Sequence, residues 1–241
     1  MLYLSLVVLI PLAAVVVKAV SSGAGTLWSS IDNALALRAL AITIVASLIV
    51  AAIGAVMGTL VAWELVRDSF PGKRVVNSVI DLPFALPTIV AGLILIALYG
   101  PDSPVGIHLA YTRGAVIVAL LFVTLPFVVR SVQPVLIELD REVEEAAASL
   151  GASNATTFRR VVLPALRPAI ISGAALAFAR SIGEFGSLAL IAGKVQIASI
   201  VIYADIESGS EQSAAALSVV LMVIALLVLF ILRRIGARVG D

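Results

Sequence analysis

The residues with the most specific spacing in this chain lie between positions 145 and 164. They read Glu145-Ala146-Ala147, three residues, Gly151, nine residues, then Val161-x-Leu163-Pro164. Leu139, Val143, Ala146, Ala147 and Leu150 recur at helical spacing and form one apolar stripe. Glu142, Glu144 and Glu145 fall toward the start of that helix, where the backbone dipole favours negative charge. Gly151 suits the left-handed residue that ends a helix, and Ser153 or Asn154 can cap a second one. Pro164 lacks a donor and disfavours helix at Leu163, so the second helix is expected to stop there. The chemistry this pattern offers is docking of a partner protein. The competing reading is an amphipathic helix lying on the bilayer, which calls for a basic polar face. The acidic start of the first helix disfavours contact with an anionic leaflet.

Other polar residues stand inside apolar sequence. Arg180 and Glu184 are four apart on one expected helical face, with Arg180 near the middle of its segment. An intramembrane arginine normally faces a bundle interior or aqueous cavity. Two readings stay open: the pair locks helices together, or Arg180 offers transient positive potential to a passing anion. Pro83 and Pro87 each remove a backbone donor, and Thr88 adds a hydroxyl, which fits either a pathway lining or a packing kink. Asp81 is placed at the membrane interface, and Arg130 ends its segment, where it can snorkel. Gly54-x-x-x-Gly58 permits close helix approach, read as packing within this chain rather than as a dimer contact. None of these residues is assigned a catalytic role. The chain has no cysteine, so disulfides and thiolate metal sites are excluded. The single histidine, His108, has no neighbouring ligand partner in sequence.

The elements that position these residues follow from composition. Hydrophobic residues make up 61% of the chain and charged residues 13%, with a mean hydropathy of +1.16. Soluble domains carry about 25% charged residues. Six apolar segments emerge, at about 2–20, 37–63, 75–98, 114–132, 166–192 and 214–232. All must be helical, because open strands would leave backbone groups unsatisfied in lipid. The first is read as a span whose basic leader is missing from this sequence, rather than as a signal peptide. Eleven Lys and Arg residues fall on one side and four on the other, which predicts that the richer side, both termini included, is cytoplasmic. Residues 1–36 then form the first helix and an external loop, 37–235 a membrane core containing the cytoplasmic loop 138–165, and 236–241 a tail. Net charge is +1 and no basic run suggests nucleic acid. No Gly-x-x-x-x-Gly-Lys-Ser/Thr loop is present, so any ATPase must be another chain.

The 145–164 stretch resembles the EAA motif of ATP-binding-cassette importer permeases, in which Glu-Ala-Ala, three residues, Gly, nine residues and Ile-x-Leu-Pro form the coupling helix. Every position matches except Val161, which stands for Ile. Residues 82–92, 98–106, 125–136 and 176–186 are similar to the T subunits of sulfate/thiosulfate importers. The molybdate permeases share the 180–186 stretch, while the 99–106 loop and Val132-Gln133-Pro134 lean toward sulfate. The loop between the fifth and sixth segments departs from the family pattern in being short and poor in lysine. The resemblance implies an all-α polytopic bundle of about six spans with the type I importer fold. It implies a homologous W permease subunit, two ATP-binding subunits that hold ATP-Mg, and an extracytoplasmic sulfate-binding protein. Within the same class, molybdate or tungstate is the alternative cargo. A secondary anion transporter or channel is the alternative from another class, and it gives the 145–164 motif no role.

Overall fold

The computed structural model describes residues 5–21 and 23–240. Residues 2–4 of the first apolar segment and Asp241 of the tail lie outside the described residues. Every regular element among those described is helical. A π-helical turn, Ser5–Leu9, leads into α1, Ile10–Val20, and a short α2, Ala24–Ile31, follows. Then comes α3, Ala34–Arg67, whose first turn is capped by Asn33: its side chain accepts a hydrogen bond from the Ala36 N–H at 2.8 Å. At 1.5 Å per residue, 34 residues make a helix about 51 Å long, well beyond the ~30 Å hydrocarbon core. Its far end carries Trp63 and Arg67.

The third apolar segment is not one span. It divides into α4, Lys73–Ile80, α5, Leu82–Ala85, and α6, Thr88–Tyr99. Leu86 precedes a proline and is extended, at φ −90° and ψ 135°. Pro87 has no N–H to continue the ladder, and its carbonyl instead starts α6 by accepting from Val90 N and Ala91 N. The prolines thus break the helix outright rather than bend it.

The bundle continues with α7, Arg113–Glu138, and α8, Arg141–Ser149. A single helical run, Asn154–Ile182, follows. It consists of α9, Asn154–Thr157, a π-helical turn, Phe158–Val162, and α10, Leu163–Ile182. The expected stop at Pro164 does not occur. Leu163 N–H donates to the Phe158 carbonyl five residues back, so the backbone widens just before the proline and the helix continues. At its other end α10 stops ten residues short of the expected boundary. Gly183, Glu184 and Phe185 are non-helical, and α11, Gly186–Ile191, begins anew. The chain closes with α12, Ala198–Glu207, and α13, Glu211–Gly240.

Among the described residues, four helices are long and apolar enough to cross a membrane: Ala34–Arg67, Arg113–Glu138, Asn154–Ile182 and Glu211–Gly236. Two shorter apolar stretches, Ser5–Val20 and Thr88–Tyr99, complete the six segments. Helix association in lipid relies on small residues that let backbones approach. Such a contact joins α3 to α7: a Cβ on Gly58 would lie 2.7 Å from Cβ of Val128. On the other side of Val128, a Cβ on Gly173 of α10 would lie 2.8 Å from its Cα. Gly54-x-x-x-Gly58 therefore packs within the chain, and Val128 is the knot of the three longest-packed helices. Around it Ala62, Val132, Leu136, Val162, Leu166 and Ala177 are fully buried.

Candidate functional site

The motif residues gather at one end of the bundle, where α3 and α7 finish and the run into α10 begins. Helix α8 is capped by Asp140, whose side chain accepts from the Glu142 N–H at 3.1 Å. It ends with Gly151 at φ +84°, where Gly151 N donates to Ala148 O and Ala152 N to Ala147 O. A left-handed residue with these two bonds closes the helix and turns the chain. Ser153 then caps the next run, accepting from the Thr156 N–H.

The two halves of the motif have different surroundings. On α8, Glu145 and Ala146 are exposed and Ala147 is half-buried. Leu139, expected in the apolar stripe, instead ends α7 and packs half-buried against the core, because the helix breaks at Asp140; on α8 itself Val143 is 46% exposed and Leu150 89%. In contrast Val161, Leu163 and Pro164 are half-buried, and their neighbours Val162 and Leu166 are fully buried in the core. One half presents a surface and the other roots it in the bundle.

A basic residue that sequence reasoning counted only for orientation ties the element down. Arg67, at the end of α3, donates from Nη2 to the Leu139 carbonyl at 3.0 Å. The same nitrogen lies 2.5 Å from Oε1 of Glu144, a charge contact without a well-aligned hydrogen bond, and Nε of Arg67 has no acceptor. The guanidinium also stands over Trp63, 5.9 Å from the ring centroid. Arg141 returns the link by donating to the Arg67 carbonyl at 2.9 Å. Trp63 in turn meets Phe158 edge-on at 5.3 Å, fastening the π turn to the same helix end. The one visible sequence signal was Trp63 and Arg67 at i, i+4 on the second apolar segment. Their contacts with residues 139, 144 and 158 come from tertiary folding.

The candidate pathway residues form two clusters. In the first, Arg130 does not snorkel. Its Nε donates to Asp81 Oδ1 at 2.7 Å, Nη1 to Asn77 Oδ1 and Gln133 Oε1, and Nη2 to the Asn77 carbonyl and Asp81 Oδ2. All five guanidinium N–H donors are thereby used. Asp81 is accordingly the counter-ion that joins α4 and α5 to α7, not an isolated interfacial carboxylate. Pro83 sits within the first turn of α5, and its neighbour Phe84 packs edge-on against Phe127 of α7 at 5.1 Å.

The second cluster lies where the two helix breaks meet. Arg180 and Glu184 do pair, Nη1 to Oε2 at 2.6 Å, but across the end of α10 rather than along one helical face. The arginine side chain is 32% exposed and the glutamate 1%. The other carboxylate oxygen, Oε1, accepts from both the N–H and the hydroxyl of Ser187, each at 2.9 Å. Ser199 Oγ donates to the Glu184 carbonyl at 2.7 Å. Glu184 therefore holds the start of α11 and part of the following chain. Against this joint stands the Pro87–Thr88 break. A Cβ on Gly186 would lie 2.2 Å from Thr88 Oγ1 and 2.9 Å from the Ile89 nitrogen. Thr88, Pro87, Arg180 and Glu184 are thus brought into one neighbourhood, while Pro83 and Arg130 belong to the other. Irregular backbone at membrane depth needs protein or a cavity beside it, and here the two breaks adjoin each other.

The family model for "Binding-protein-dependent transport system inner membrane component" matches residues 54–241. The sulfate transport system permease protein CysT of Synechocystis sp. is 42% identical over 242 residues, covering 96% of this chain and 85% of that protein. The protein of the same name from Salmonella typhimurium is 39% identical over 251 residues, covering 100% of this chain and 91% of its own length. Among solved structures, a chain of a bacterial ABC transporter that imports alginate superposes with a TM-score of 0.80 at 15% identity, covering 100% of this chain and 93% of that one. A chain of the MetNI methionine ABC transporter gives 0.69 at 21% identity, covering 84% and 95%. These distant structures share the helical permease fold. With four membrane-length helices among the described residues and a family match over most of its length, the chain belongs to the inner membrane components of binding-protein-dependent transport systems.

Proposed function

We propose that this chain is a permease subunit of an ATP-driven importer of sulfate or thiosulfate. It sits in a bacterial cytoplasmic membrane with both termini inside and forms half of the translocation pathway. Its partners are a homologous W permease subunit, two ATPase subunits that carry ATP-Mg, and an extracytoplasmic sulfate-binding protein. Residues 1–36, 37–235 and 236–241 are its first helix with external loop, its core and its tail. The observation that carries the reading is the stripe of α8: Val143 and Leu150 are exposed on a helix whose root is fixed by Arg67 and by the buried Val162. An apolar face held rigidly out of the bundle is a docking surface. The sulfate assignment rests on relatives named as sulfate permeases at 42% and 39% identity.

In this reading Glu145, Ala146, Ala147 and Gly151 meet the ATPase, and Val161, Leu163 and Pro164 carry its movement into α10. The far end of α10 is the Arg180–Glu184 joint, which bears on the breaks at Pro87 and Thr88. These residues, with Pro83, border the pathway. Arg180, half-neutralised by Glu184, attracts a dianion weakly enough to release it. Arg130 spends all its donors on the wall and shapes the pathway without holding the ion.

The test uses the assembled transporter in proteoliposomes. Gly151→Pro fixes φ near −65° where the fold has +84°, and Glu145→Arg reverses a charge on the docking face. Each is expected to lower labelled sulfate uptake at least about tenfold, a loss of ~1.4 kcal/mol in coupling, with normal membrane insertion. Unchanged uptake in both variants, at normal expression, refutes the docking reading. Competition of sulfate uptake by thiosulfate and by molybdate decides the cargo.

A further inference from the structure

We propose that the groove between α10 and α13 is a binding site for an anionic phospholipid, with an acyl chain lying along the groove and the phosphate on Arg233. The groove holds about 480 Å³, within the ~300–1,000 Å³ typical of sites for small molecules. Pro168, Ser172 and Leu176 line one wall, and Leu229, Leu232 and Arg233 the other. Its surface is apolar except for the Ser172 hydroxyl and the Arg233 guanidinium.

Depth along the helix sets the level of that guanidinium. Glu211 starts α13 and is bound to Lys18 of α1 at 2.6 Å, marking one edge of the apolar zone. Arg233 lies 22 residues further along α13, a rise of about 33 Å. That matches the ~30 Å hydrocarbon thickness, so Arg233 stands where headgroup phosphates begin.

Among the described residues no carboxylate pairs with the charge there. Arg167 and Arg234 are exposed and adjoin lining residues in sequence, and Arg234 stacks over Phe230 at 4.9 Å. None of the ion pairs among the described residues includes Arg167, Arg233 or Arg234. After Glu211, neither α10 nor α13 contributes any Asp or Glu to the groove. Basic pockets between membrane helices select anionic headgroups. A protein helix in the same groove would need to bring its own carboxylate to the Arg233 level. A phospholipid supplies both an apolar chain for the groove and a phosphate for Arg233.

Native mass spectrometry of the assembled, detergent-extracted transporter tests this, with dioleoyl-phosphatidylglycerol and dioleoyl-phosphatidylcholine added at equal concentration. One arginine beside an anionic headgroup corresponds to about fivefold preference. We expect phosphatidylglycerol to be retained about fivefold over phosphatidylcholine, and Arg233→Gln to bring the ratio near unity. Arg233→Lys keeps the preference. Ser172→Phe fills the groove and removes retention of both lipids from this site. Arg38→Gln, the same charge change at the other end of the bundle, leaves the ratio unaltered. Equal retention of the two lipids by the unmodified complex overturns the proposal. So does a phosphatidylglycerol preference that survives both Arg233→Gln and Ser172→Phe. Because the chain has no cysteine, a Ser172→Cys variant adds a separate arm. Short-range thiol cross-linking of that position to another subunit shows a protein in the groove and likewise overturns it.

Discussion

Replacing Glu184 separates two roles of one carboxylate. Glu184→Ala removes the Arg180 pair at 2.6 Å and both hydrogen bonds from Ser187 at 2.9 Å. Breaking a fully buried pair by deleting one ion costs about 3–5 kcal/mol. Here Arg180 is 32% exposed and, bordering the proposed pathway, regains water, which cuts that part to about 1–2 kcal/mol. Ser187 is fully buried, and its N–H left without an acceptor adds about 1–3 kcal/mol. The alanine variant is therefore destabilised by about 2–5 kcal/mol. Glu184→Gln keeps an acceptor for Ser187 and loses only the ionic part, about 1–2 kcal/mol. For a chain of this size about 2–4 °C accompanies each kcal/mol. Thermal unfolding of the assembled transporter at one scan rate should fall by roughly 10 °C for alanine and about 4 °C for glutamine. In a double-mutant cycle, Arg180→Gln with Glu184→Gln should couple by about 1 kcal/mol. If alanine and glutamine are equally mild, the carboxylate does not hold α11, and the account of the joint fails. If the cycle shows no coupling, the ion pair contributes nothing.

Arg67→Ala removes the tie to Leu139 and Glu144, so amide exchange over residues 139–150 should accelerate and sulfate uptake fall. Unaltered exchange there would place the anchor elsewhere. Gly58→Leu forces a side chain into Val128, whose Cβ would lie 2.7 Å from the new Cβ. It should cost about 1–3 kcal/mol and reduce folded yield. Adding Val128→Gly, which removes both that Cβ and the Cγ1 at 2.9 Å, should restore part of that yield, and a lack of rescue would show that the backbone at Val129 sets the limit.

Much of this architecture was legible in the sequence because lipid leaves few options. Six apolar segments, the caps at Ser153 and Gly151, and the close approach at Gly58 all follow from local physical chemistry. Continuity was harder to read. Hydropathy reports burial, so the segments at 75–98 and 166–192 look whole although each is broken. The prolines at 83 and 87 were visible. Their effect was not, because a break is stable only where another backbone fills the gap. That filler is α11, seated against α6 through Gly186 and Gly92, more than ninety residues away in sequence. The same limit hid the partners of Arg130 and Arg67. The pairs Asn77–Asp81 and Arg130–Gln133 each lie at helical spacing, but nothing local says that they face one another.

Pro164 shows how packing overrides a local stop signal. Taken alone, proline there ends a helix, yet the π turn at Phe158–Val162 carries the chain through. Restoring an α-helical donor with Pro164→Ala offers one hydrogen bond, worth about 1 kcal/mol. Relaxing the π turn would shift the upstream register by one residue, about 100° of rotation. Val162, now fully buried, and Phe158, 5.3 Å from Trp63, would both leave their places. Burial of a valine contributes about 1.5–3 kcal/mol and an aromatic pair about 0.5–1.5 kcal/mol. The packing outweighs the hydrogen bond, so Pro164→Ala should keep the π turn and most uptake. Phe158→Ala, which leaves the proline in place, should loosen the same turn and lower uptake. Amide exchange at residues 158–163 distinguishes the cases. If Pro164→Ala abolishes uptake while Phe158→Ala does not, the proline itself directs the helix, and the aromatic anchor is incidental.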